Sequence, residues 1–150
     1  MQGIRTIAAA GTACAVLDGI SALLLFGSKG ASAAQVFQGI ARGAMGRAAV
    51  NGGATAVAVG VVAHFAVACA AAAIYYAFTR VRPAVNDRPL VFGPLYGAAV
   101  HLVMSFVVIP LSAIGWRPIV WTTFLAVLAI HLVVVGPSIS LTVSRLAPRR

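Results

Sequence analysis

Residues Thr55–Phe78 read TAVAVGVVAHFAVACAAAAIYYAF, with no Lys, Arg, Asp or Glu and a single imidazole, His64. A helix crossing the hydrocarbon core of a bilayer needs about 20 mostly apolar residues, and this run supplies them. A transmembrane β-strand would alternate apolar and polar residues over about 10 positions. Continuous apolar character over twice that length selects the helix. Three further stretches read the same way: Ile7–Phe26, Leu90–Ile114 and Ile119–Val143. They are bounded by Arg5, Ser28-Lys29-Gly30, Arg80-Val81-Arg82-Pro83, Asp87-Arg88-Pro89 and Trp116-Arg117-Pro118. The last connection is so short that the third and fourth spans are expected to be antiparallel neighbours. Tyr75, Tyr76, Tyr96, Trp116 and Trp121 fall near span ends, where amphipathic rings favour the interface. The expected fold is an all-α integral membrane protein, a four-transmembrane-helix bundle forming one domain.

Composition excludes the alternatives. The chain has 150 residues, 61% hydrophobic and 9% charged, with a mean hydropathy of +1.01. A soluble domain carries roughly 25% charged residues, and a disordered chain needs low hydrophobicity. The net charge of +9 would suggest nucleic acid in a soluble protein. Here the basic residues stand singly between apolar runs, an arrangement suited to anionic lipid headgroups. The expected partner is therefore the lipid bilayer, with no nucleic acid. Cys14 and Cys69 both lie in apolar stretches without a CxxC pair, and packing is their expected role.

Seven basic residues (Arg5, Arg80, Arg82, Arg88, Arg145, Arg149 and Arg150) fall on the side of the N-terminus. Four (Lys29, Arg42, Arg47 and Arg117) fall on the other. This bias places both termini in the cytoplasm, in a cell inner membrane. Arg5, the first apolar run and Ala31-Ser32-Ala33 resemble a signal peptide with its cleavage site, but the run is too long and carries Asp18. The first span is expected to be retained.

Between the first two spans, Ser32 can cap a helix. Ala33, Val36, Phe37, Ile40, Ala44 and Met45 recur at three- and four-residue steps, with Gln35, Gln38, Arg42 and Arg47 mostly off that stripe. The pattern predicts an amphipathic interfacial helix, or a short helix capping the bundle. Asn51-Gly52-Gly53 then reads as a turn.

Each span carries one acid or imidazole: Asp18, His64, His101 and His131. At about 1.5 Å per residue they fall in a layer roughly 6 Å thick near the midplane. An Asp there costs about 2.5–3.5 kcal/mol on insertion scales, so such residues face the bundle interior or a water-filled cavity. Their neighbours form stripes of small or polar residues: Gly11, Cys14, Asp18 and Ser21; Gly60, His64, Ala68 and Ala71; Gly93, Gly97, His101, Ser105 and Ser112; His131, Ser138 and Thr142. Small residues at four-residue spacing let helices approach closely. The four groups are expected to converge, supported by Ser21, Ser105 and Ser138.

Convergence leaves several readings open. Each imidazole could bond a carbonyl or hydroxyl and simply hold helix register. A proton relay needs groups that change charge near neutral pH, which His does. Three His and one Asp could hold a transition metal, and two facing His could hold haem; no cofactor is the leading expectation, with metal or haem as the alternative. The sequence lacks a nucleophile–base pair, a phosphate loop and paired carboxylates, so no enzymatic activity is expected. Pro110 and Gly136-Pro137, deep in their spans, are expected to kink them and free carbonyls. Gly93-xxx-Gly97 could pack within one chain or between chains, leaving a homo-oligomer or a subunit role in a larger membrane complex open.

His64, Tyr75-Tyr76, Arg82-Pro83, Tyr96-Gly97, Val100-His101, Ser105-Phe106, Pro110-Leu111 and His131-Leu132 together resemble the YagU-like family of bacterial inner-membrane proteins. The likeness covers a little over half the chain. The first half departs from it, with a compact loop in place of a longer segment. The resemblance implies a polytopic inner-membrane protein associated with acid tolerance, in a family of no established activity. His64, His101 and His131 look like matching positions, while Asp18 lies outside the covered region.

Overall fold

A computed structural model of the protein describes residues 1–147; Arg149 and Arg150, counted above in the charge bias, lie outside the described residues. Four helices are long and apolar enough to cross a membrane: α1 (Gln2–Gly27), α3 (Gly53–Val81), α4 (Pro89–Leu111) and α5 (Trp121–Leu146). A shorter helix, α2 (Ala33–Met45), follows α1. A 3-10 segment, Gly46–Asn51, then leads into α3, and a single turn, Ala84–Asp87, precedes α4. There is no strand among the described residues.

The helix ends have local causes. Ser32 opens α2 through a reciprocal capping box: its hydroxyl accepts from the Gln35 N–H at 3.3 Å, and the Gln35 side chain accepts from the Ser32 N–H at 2.8 Å. α4 stops at Leu111, three residues short of the expected end, because Ser112 turns extended. The Ser112 hydroxyl meanwhile donates to the Ile109 carbonyl at 2.7 Å. Gly115, at φ +70°, then takes the left-handed conformation that glycine adopts without strain. α5 begins at Trp121 rather than Ile119, just beyond Pro118. Conversely, α1 and α3 run into their polar flanks, since backbone hydrogen bonding is indifferent to the apolar content that defines a span.

Specific contacts close the bundle. α1 crosses α3 where Gly11 meets the backbone and sulfur of Cys69. Tyr96 on α4 donates to the Ala71 carbonyl of α3 at 2.6 Å. Thr6 donates to the Leu146 carbonyl at 3.3 Å and Lys29 to the Thr123 hydroxyl at 3.1 Å, tying both ends of α1 to α5. α4 and α5 touch backbone to backbone. A Cβ on Gly97 would run into the His131 carbonyl, and one on Gly136 into the Gly93 carbonyl. The Gly93-xxx-Gly97 pair therefore packs within the chain, against Gly136.

The interior is built from small residues, Ala10, Cys14, Ala15, Ala68, Ala71 and Ala72, with Ile139, Val143 and Tyr75 among the few large ones. Only 17–28% of the most apolar window of each long helix is buried, so the large side chains (Leu17, Ile20, Leu24, Val62, Ile74, Leu95 and Val133 among them) face outward. Close helix approach through small residues is the packing mode of membrane helices, where burial against lipid replaces a large-residue core. Tyr75, near the end of its span, faces the bundle interior. It is 1% exposed, its ring 5.0 Å from that of Tyr96; position along the span sets its depth but not the direction it faces. Cys14 and Cys69 are both free thiols.

α2 packs along the bundle. A Cβ on Gly60 of α3 would strike the Phe37 backbone, and Ala41, Ala49 and Ala56 form a small fully buried cluster beside Met45 and Val59. The Ala113 N–H, in the α4–α5 loop, donates to the Gly43 carbonyl at 3.0 Å.

The Gly97 contact makes a checkable statement. Gly97→Val should lower the unfolding midpoint in detergent, by overpacking worth about 1–3 kcal/mol or more. Gly27→Ala, where a Cβ meets nothing within 4 Å, should leave it unchanged within about 0.5 kcal/mol. Thermal denaturation of the purified variants measures both.

Candidate functional site

Asp18 of α1, His64 of α3, His101 of α4 and His131 of α5 line one cavity of about 330 Å³, joined by Cys14, Ser105 and apolar side chains. The four arrive there differently. His64 reaches across to α1, its Nε2 donating to the Ala15 carbonyl at 2.9 Å. Gly19 lies alongside, where a Cβ would stand in ordinary contact with Nε2 at 3.5 Å. The Phe37 and Phe65 rings stand edge-on to the imidazole at 6.3 and 6.1 Å. The donated bond fixes the tautomer, because a carbonyl can only accept.

His131 is anchored within its own helix, Nδ1 donating to the Val127 carbonyl one turn back at 2.9 Å. His101 is 4% exposed. Its ring centre lies 5.0 Å from that of His131 and 4.5 Å from that of Phe124. Its Nε2 is buried and has no hydrogen-bond partner among the described residues. Leaving a buried polar group unpaired costs about 1–3 kcal/mol. Asp18 is half-buried on the cavity wall and makes no ion pair or hydrogen bond among the described residues.

The backbone beside this pair of histidines is unusual. α4 contains a wide π turn over Met104–Val108 and α5 another over His131–Val135. In each, the closing bond spans five residues, Ile109 N–H to the Met104 carbonyl and Gly136 N–H to the His131 carbonyl. A proline stands two positions beyond each turn, Pro110 and Pro137. Proline cannot donate to the carbonyl four residues back, and its ring presses on that carbonyl. Widening the preceding turn relieves the pressure, and π turns of this kind recur at functional sites. The expected proline irregularities thus take the form of two matched π turns flanking the histidine pair.

Of the expected supporting hydroxyls, Ser105 lines the cavity. Ser21 and Ser138 do not; each donates to a carbonyl of its own helix, Leu17 at 2.8 Å and Val135 at 2.9 Å. Such local bonds compete for any serine in a helix, and helical spacing alone does not reveal the outcome. No group of three or more His, Cys, Asp or Glu close enough to hold a metal ion occurs among the described residues. The His101 and His131 rings pack against each other, leaving no space between them for a porphyrin. Phe124, which sequence reasoning missed, lies seven residues before His131 on the same face of α5; as one apolar residue among many, it carried no other signal.

Compared with protein-family models, with curated proteins and with solved structures, the chain matches none.

Half-buried His64 and buried His101 should respond differently to an apolar ring. His64→Phe removes a satisfied hydrogen bond and should destabilise by about 0.5–1.5 kcal/mol. His101→Phe keeps a ring against Phe124 and removes the unpaired Nε2, so it should cost less stability than His64→Phe. Unfolding midpoints in detergent measure both.

Proposed function

We propose that this is a multi-pass protein of the bacterial inner membrane, with both termini cytoplasmic and α2 at the opposite interface. Its Asp18–His64–His101–His131 cavity serves as the proton-responsive core of a transport-type function. One observation carries this reading: the acid and the three imidazoles of the long apolar helices all line a single cavity.

The chemistry follows from what each group can do. Imidazole changes charge between about pH 5 and 8, and Asp18 offers a carboxylate in the same cavity to balance an added proton. His64 and His131 each commit one nitrogen to a carbonyl and keep the other for exchange. His101 has an unpartnered buried nitrogen beside His131. Charging both rings of the pair, 5.0 Å apart, costs about 3 kcal/mol at an effective dielectric of about 20. A second proton on the pair is therefore opposed unless α4 and α5 separate. Both helices have a widened turn at this level, so proton uptake and helix displacement are coupled through the same residues. Among the described residues, the Gly93–Gly97 face is occupied by Gly136, which leaves a subunit-assembly role without that motif.

In liposomes under a pH gradient, the wild-type protein should carry a proton flux above that of protein-free vesicles, and His101→Ala or His131→Ala should remove it while the bundle still inserts. Flux at the protein-free level, or flux untouched by both substitutions, overturns the reading. A reporter fused to the C-terminus should register a cytoplasmic location.

A further inference from the structure

A second cavity, of about 610 Å³, lies between α2, the ends of α1 and α4 and the α4–α5 loop. It shares six wall residues with the Asp/His cavity: Ala22, Phe26, Ile40, Val67, Met104 and Ile109. The two spaces therefore adjoin through an apolar collar. Beyond the collar the lining turns cationic, with Arg42 on α2 and Arg117 on the loop, accompanied by Gln35 and Ser112. The hydrogen bond from Ala113 to the Gly43 carbonyl ties these two walls together.

The charges here are unbalanced. Arg42 Nε is buried with no hydrogen-bond partner among the described residues. The only acids in the chain are Asp18 and Asp87, and neither lines this cavity. Arg42 is half-buried, and a partly desolvated guanidinium gains from an anion or hydrogen-bond acceptors; its planar fork suits a carboxylate or phosphate. The cavity lies within the usual size of small-molecule sites, roughly 300–1,000 Å³, and apart from these groups it is apolar.

We infer that this cavity binds a single-chain anionic amphiphile, its carboxylate or phosphate head between Arg42 and Arg117 and its chain entering the collar toward the Asp/His cavity. A space of about 610 Å³ suits one acyl chain better than the two chains of a phospholipid. The inference stands apart from the proton reading, because it concerns occupancy of a different cavity and is read by binding rather than by flux.

The test uses the full-length protein in phosphatidylcholine vesicles with two probes bearing a diazirine at the chain end, palmitate and palmitoyl lysophosphatidate. Crosslinked residues are mapped by mass spectrometry. At least one probe should label the collar at Ile40, Val67 or Met104. Labelling should fall at least tenfold in Arg42→Gln, and also in Arg117→Gln, whose exposed loop position keeps the test independent of folding. Hexadecanol with the same diazirine should not label the collar. Collar labelling by neither anionic probe, labelling unchanged in both variants, or equal labelling by hexadecanol overturns the inference. Competition by inorganic phosphate alone would reduce the site to a simple anion site. Competition by phosphatidylglycerol vesicles would give it to a bilayer lipid. Either of these also overturns it.

Discussion

The backbone contact between Gly97 and the His131 carbonyl governs much of this structure. Two helices come this close only where a side chain is missing, and Gly93, Gly97 and Gly136 provide the gap between α4 and α5. Gly97 lies one helical turn before His101, so the contact that joins the helices also brings the His101 ring against that of His131. The same carbonyl accepts the long bond from Gly136 that closes the π turn. Packing, helix irregularity and the histidine pair thus share one atom's neighbourhood.

Around that contact, most polar side chains find a partner close at hand. Ser21, Ser138 and Thr142 bond carbonyls of their own helices, while His64 and Tyr96 reach a neighbouring helix. Among the described residues the exceptions include Asp18 and His101 Nε2 in one cavity and Arg42 Nε in the other, together with the Tyr75 hydroxyl and Asn86 Oδ1, which lie outside both. In a bundle whose interior is mostly alanine and glycine, an uncompensated polar group is a sizeable fraction of a marginal stability.

The two cavities lie side by side along an apolar collar, one lined by an acid and three imidazoles, the other by two arginines. On the proposed reading, protons act on the histidine pair, and a bound anionic chain would end against the same walls. The widened turns in α4 and α5 supply the freedom for those walls to move, because a π turn breaks the regular i to i+4 ladder without breaking the helix.

Hydropathy and spacing in the sequence were enough to locate four long apolar helices, the Ser32-capped helix between the first two, the turn at Asn51-Gly52-Gly53, and one acid or imidazole at a similar depth in each span. These are properties of a segment and its own axis. Rotation about that axis is set elsewhere, by which small residues meet. Only the tertiary structure therefore turned Tyr75 inward, directed Ser21 and Ser138 to their own helices, and packed Gly93 and Gly97 on Gly136 within one chain. It also distinguished a close His101–His131 pair from a separate His64 and an unpaired Asp18. The cationic cavity was beyond sequence reading for the same reason. Arg42 and Arg117 lie far apart in the chain, and only the packing of α2 against the bundle and its tie to the α4–α5 loop bring them to one space.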